Sequence, residues 1–130
     1  MKSNLFRRIA AATCLLCLVF VTGLLAEEIE VTLDESLVYY GDPLYFSSPA
    51  VLNIETVFQE IAEYRRILEE DINTQDPEYW YLLDQANKKF IERVEIVAGE
   101  NAYDLVCGTI EYTDGREVPD ITELVVKELD

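Results

Sequence analysis

Carboxylates are the side chains this sequence holds in surplus: 26 Asp and Glu stand against ten Lys and Arg, and there is no histidine. The densest run is Glu69-Glu70-Asp71, with Asp76 close behind. Paired carboxylates hydrolyse glycosides only when a cleft holds them at set separations. This run falls at an expected helix end with no sign of a cleft, and it reads as solvated surface. Asp71-Ile72-Asn73-Thr74-Gln75 has the rhythm of a calcium loop, but Asp76 stands where such a loop needs glycine and Leu82 where it needs a bidentate Glu. The lack of histidine removes the commonest general base and the commonest zinc ligand. There is no Gly-rich phosphate loop, no GxSxG and no metal-spaced Cys/His set. No enzymatic activity, cofactor or metal is expected.

Tyr79-Trp80-Tyr81 is the most aromatic spot. Three successive helical residues spread over roughly 200°, at about 100° each, so they cannot all face one core. Tyr79 fits the apolar stripe of its helix, which leaves Trp80 or Tyr81 partly exposed. Two uses are open. The rings cap a hairpin tip, or they form a contact for another chain, since Trp and Tyr are favoured hot-spot residues. Tyr79, Trp80 and Tyr81 are the candidate client-binding residues.

The formal net charge of −16 excludes the clustered cations of a nucleic-acid binder. It also argues against an anionic membrane surface as partner. Lys2, Arg7 and Arg8, the uncharged run Ile9–Leu25 and the small Ala26 match a secretory signal peptide over residues 1–26. Cleavage after Ala26 is expected, with Gly23 as the alternative site and an uncleaved anchor as the alternative fate. All 26 acids and seven of the bases lie beyond Ala26, so the mature charge is −19. Cleavage would leave no stable membrane insertion. Cys14 and Cys17 leave with the signal. Cys107 remains alone, and its neighbours Leu105 and Val106 favour a buried thiol over an intermolecular disulfide.

The elements that must position these residues fit one domain over 27–130. Ile29, Val31 and Leu33 alternate with polar residues as in a half-buried strand. Leu37–Tyr40 and Leu44–Phe46 read as extended pieces around the Gly41-Asp42-Pro43 turn. Ala50-Val51-Leu52 reads as a buried strand. From Asn53, an N-cap, Ile54, Val57, Ile61, Tyr64, Leu68 and Ile72 predict one helix to about Asp71. Asp76-Pro77 opens a second, lined by Tyr79, Leu83, Ala86, Phe90, Val94 and Val97 and stopped at Gly99. The two should fold back as an antiparallel hairpin over about 54–99, each helix roughly 25–35 Å long. Tyr103–Cys107 and Thr109–Tyr112 follow as strands. Asp120, with Glu123 as a capping box, opens a last helix lined by Ile121, Leu124, Val125 and Leu129. The expected class is α+β: a small β-body, an inserted antiparallel helical hairpin and a C-terminal helix. Short strands such as Ala50–Leu52 and Tyr103–Cys107 leave unpaired backbone at sheet edges unless covered or joined to another chain, so self-association is expected.

In this order of pieces the chain resembles the OmpH-like (Skp-like) family of periplasmic chaperones. Ala50–Phe58 looks like that family's first strand and the start of its helix, and Tyr103-Asp104-Leu105-Val106 like its second strand. Tyr112, then Asp120-Ile121-Thr122 with Val125, Val126 and Leu129, looks like its ending. The likeness covers residues 49–130. It implies a homotrimer in the periplasm, with hairpin arms that hold unfolded outer-membrane proteins. Two departures stand out: the arms here are far shorter, and the chain is acidic where the best-known members are basic. Residues 27–48 have no counterpart. A chaperone binding unfolded envelope proteins is therefore the first expected function. A structural envelope protein that keeps the trimeric body is the second.

Overall fold

The computed structural model describes residues 28–130. The expected signal peptide, with Cys14 and Cys17, lies outside them. Strands β1 (Val31–Leu33), β2 (Val38–Gly41) and β3 (Pro49–Val51) come first, with a single 3-10 turn at Glu35–Leu37. Helices α1 (Ile54–Glu60), α2 (Ala62–Glu69) and α3 (Pro77–Glu100) follow, then β4 (Leu105–Cys107), β5 (Ile110–Tyr112) and α4 (Thr122–Glu128). The class is α+β, with a helical hairpin inserted between β elements, as the sequence predicts.

Parallel strands cannot be joined by a tight turn; they need a crossover. Strands β3 and β4 are parallel, pairing Ala50 with Val106, and the whole helical hairpin is their crossover. This explains its unequal legs. At 1.5 Å per residue, the 15 residues of α1 and α2 climb about 22 Å, while the 24 of α3 return about 36 Å. The excess is roughly the length of the strand that the chain must pass to re-enter at the start of β4. Two ion pairs fix the legs in antiparallel order: Lys89 Nζ with Glu63 at 3.1 Å, and Arg66 with Glu78 nearer the tip.

Strand β4 is fully buried and lies between β2 and β3. Val106 faces the larger core, with Ala50, Val57, Ile61, Phe90, Val94 and Val125. Leu105 and Cys107 face the other side, with Ile110, Leu33 and Phe46, where β1 and β5 form a second, antiparallel sheet. Such two-sided burial is why Leu105-Val106-Cys107 is an unbroken apolar run.

Several expectations are corrected. Tyr103–Cys107 is no sheet edge but the centre of one. Strand β3 does lie at an edge, yet Val51 donates to Pro119 O at 2.9 Å and accepts from Ile121 N at 2.9 Å, so its outer side is covered within the chain. These two strands thus give no reason for self-association. Leu44–Phe46 is a loop. The first helix is two, broken at Ile61, whose φ of −78° and ψ of 124° are extended. An extended residue turns its side chain by about 180° instead of 100°, advancing the phase by almost one residue. The buried position accordingly moves from Leu68, 55 % exposed, to Ile67, 5 % exposed. The Arg65 guanidinium spans the break and donates to Gln59 O and Glu60 O, carbonyls left open at the end of α1. Gly99 does not stop α3; Ala102, at φ 57°, does, with Tyr103 N donating to Ala98 O at 2.9 Å. The capping box is replaced by an Asp120 turn in which Oδ1 accepts from Thr122 N and Oγ1. Leu124 is exposed while Thr122 is buried.

Candidate functional site

The hairpin tip is built by local rules. Helix α2 ends at Glu70, and Asp71 takes the left-handed conformation at φ 49°, letting Ile72 N donate to Ile67 O at 3.1 Å. Asp is one of the few residues that visits this region readily. Asn73 Oδ1 then accepts from Gln75 N, and Asp76 Oδ1 from Glu78 N, each at 2.9 Å, with Pro77 opening α3. The two polar side chains of the supposed calcium loop thus serve as turn and cap acceptors. Among the described residues no three Asp, Glu or Cys side chains converge to hold a metal.

On this base stand the three aromatics. Tyr79 is half-buried and meets Trp80 edge to face, centroids 5.1 Å apart. Trp80 is 58 % exposed and donates from Nε1 to Thr74 O at 2.8 Å. Tyr81 is 64 % exposed. Both exposed rings sit on the first turns of a 24-residue helix, at the end where Leu68 is also exposed. The indole therefore braces the turn, as one of the two uses expects, and leaves more than half of its surface exposed. The fully packed stretch of α3 begins at Leu82 and continues through Ala86, Phe90, Val94 and Val97. The base of the hairpin thus lies on the body through Ala86, Phe90, Val94 and Val97, while α2 packs against α1 and α3, with Ile67 and Leu82 buried outside the main core.

Charge surrounds the tip. Residues 67–84 carry Glu69, Glu70, Asp71, Asp76, Glu78 and Asp84, and no Lys or Arg. Arg66 pairs with Glu70, at 3.0 Å, and with Glu78; Lys88 pairs with Asp84 at 2.7 Å. Among the described residues Glu69 and Asp71 make no ion pair, and they lie at the C-terminal, negative end of α2.

A second exposed patch was not legible as such in the sequence. Leu44 is 73 % and Tyr45 80 % exposed, on the loop between β2 and β3. Its base is pinned from afar: Asp104 accepts from Ser47 N at 2.7 Å, Ser47 Oγ at 3.0 Å and Ser48 N at 2.8 Å. Partial burial pushes this carboxyl up, but the donors outweigh it and hold it below the usual carboxylate range. Gly41, at φ 87°, lies so close that a Cβ there would land on Asp104 O. The one signal for this patch is turn chemistry, Gly41-Asp42-Pro43 followed by Ser47-Ser48-Pro49, which marks a loop without naming its anchor.

Two surface hollows have polar side chains on their walls. One, of about 260 Å³, lies at the helix break among Ile54, Phe58, Tyr64, Glu55 and Gln59, with a single carboxylate. The other, of about 570 Å³, has Tyr39, Asn53, Glu55 and Asp120 on its wall. There Asn53 accepts from Thr56 N and Asp120 from Thr122, so both are spent on capping. Burial pushes the Tyr39 hydroxyl up, with Cys107 and Asp34 adding to it, so it stays protonated at neutral pH. Cys107 is fully buried as expected, and burial raises its thiol although a backbone hydrogen bond at Thr109 acts the other way. A buried, protonated thiol is a poor nucleophile. Among the described residues, no helix is long and apolar enough to cross a membrane. Comparison of the chain with protein-family models, with curated proteins and with solved structures finds no match.

Proposed function

We propose that the protein is an exported, chaperone-like binding protein that takes hold of unfolded or outer-membrane polypeptides at its hairpin tip. The observation that carries this reading is the exposure of Trp80 and Tyr81 on a well-anchored helix end. Rigid, amphipathic rings that need little ordering on contact are what a binding surface uses. The plan of the chain, a hairpin inserted between strands and a closing helix, agrees with the resemblance to the OmpH-like chaperones. The short, packed hairpin cannot enclose a client, so contact is at a point and not in a cage. A homotrimer rests on the resemblance alone.

Replacing both rings, W80A/Y81A, should weaken binding of an unfolded outer-membrane protein by roughly thirtyfold or more, the effect of losing about 2 kcal/mol. Binding titrations on the variant, beside its melting curve, check this. Unchanged affinity per folded molecule defeats the reading. It would then favour a structural envelope protein, in which the Trp80–Thr74 hydrogen bond serves the turn alone. The mass of the mature protein in solution tests the trimer, and N-terminal sequencing from the envelope should begin near Glu27.

A further inference from the structure

We infer that the hairpin tip selects cationic polypeptide segments, binding stretches in which Arg or Lys alternates with apolar residues and discriminating against acidic ones. This rests on the proposed function and names the partner class of that same site. The apolar surface is the outward side of α3's first turns, Trp80 and Tyr81, with Leu68 at the same end of the hairpin. By itself such a surface accepts any apolar segment. What lands on it is decided by its surroundings, six carboxylates over residues 67–84, of which Glu70, Glu78 and Asp84 are paired with Arg66 or Lys88 and Glu69, Asp71 and Asp76 make no ion pair among the described residues.

The placement of these charges sharpens the argument. Acids at a helix N-terminus, such as Asp76 and Glu78 on α3, stabilise the helix. Glu69, Glu70 and Asp71 stand at the opposite pole, the C-terminal end of α2, where the helix dipole already presents negative potential. Among the described residues only Glu70 of the three has an ion-pair partner, Arg66. Asp71 suits its left-handed backbone, but its charge and that of Glu69 gain nothing there, since they repel both each other and the helix end. A guanidinium arriving there meets two unpaired carboxylates and a helix C-terminus. At the same end of the hairpin Trp80 and Tyr81 expose aromatic faces, a kind of surface on which a guanidinium or an apolar side chain can stack. A divalent ion is a poorer occupant, because no three acidic ligands converge among the described residues.

The test uses the purified protein and two labelled, unstructured peptides. One alternates Arg and Phe among Gly and Ser; the other carries Glu in place of each Arg. At low salt the Arg peptide should bind at least about tenfold more tightly. The gap should close near 1 M salt, where the screening length is about 3 Å. In E69Q/D71N the Arg peptide should lose severalfold in affinity while the Glu peptide is unchanged. Asn tolerates the left-handed backbone at position 71, so the variant should fold as the parent does. Equal binding of the two peptides, or a gap undiminished in E69Q/D71N, overturns the selectivity and leaves the tip as a general binding site. Failure to bind either peptide, or an unfolded outer-membrane protein, overturns both.

Discussion

Two patches on this molecule put large apolar side chains into water, and they are held there by different means. The hairpin tip with Trp80 and Tyr81 is organised by neighbours: Asp71, Asn73, Asp76 and Pro77 shape the turn, and every bond spans a few residues. The loop with Leu44 and Tyr45 is organised from a distance. Its anchor is Asp104, 57 residues away from Ser47, and its close approach requires Gly41. The tip is ringed by six acids, whereas the loop from Gly41 to Ser48 has only Asp42, whose carboxylate accepts from Leu44 N. A locally built patch can change its side chains without disturbing the body. A patch pinned to a central strand cannot, since its anchor directly precedes β4. The tip is therefore the place where composition is free to follow a partner.

The sharpest break of this comparison is at Gly41. G41A meets both a positive φ and a backbone collision, and it should cost about 3 kcal/mol or more, read as a large drop in denaturation midpoint. A mild effect would mean that the loop is as loosely coupled to the body as the tip is. D104N keeps the shape but turns a charged acceptor into a neutral one. Hydrogen bonds to charged groups are worth about 1.5–3 kcal/mol, and partial exposure lowers this, so about 1–2 kcal/mol is expected. The same carboxylate gives a pH signature. Its acidity is depressed in the folded state, so its contribution is present above the unfolded value near 3.8 and fades as pH falls below it through the folded value. Chemical denaturation between pH 5 and about 3 should lose less stability in D104N than in the parent.

Smaller effects sharpen the contrast from the helix side. A102G removes a left-handed alanine at the end of α3 and should stabilise by about 0.5–1 kcal/mol, the steric relief exceeding the added chain entropy. G99A, at a helical position with open space, should gain a similar amount by thermal melting. Smallest of all, Y81A alone should shift stability by less than about 0.5 kcal/mol, because its ring lies outside the packed face. A large loss in Y81A would show that the tip is structural after all.

How far these features could be read in advance follows the same division. The start of α3 is written in Asp76-Pro77, and the stripe Ala86, Phe90, Val94, Val97 names its buried face; both are properties of adjacent turns. The partly exposed aromatics follow from the 100° step between residues. The break at Ile61 was hidden because a 3.6-residue period tolerates one extended residue at the cost of a phase shift that only Ile67 and Leu68 reveal. Gly99 reads as the stop of α3 because the composition of a helix end is visible in a sequence while its left-handed residue, Ala102, is not.

By itself, then, the amino-acid order determined which segments are helical, that a hairpin interrupts the strands, where its tip falls and that the tip is acidic and aromatic. These depend on contacts within one or two turns. Only the tertiary structure decided that β4 is a central strand, that the segment ending in Ile121 covers the edge of β3, and that Asp104 holds a loop 57 residues away. Strand pairing and long-range anchoring join segments whose sequences carry no mark of each other. Three-residue strands such as Pro49–Val51 and Leu105–Cys107 are too short to state a register, and burial on both faces decides it for them.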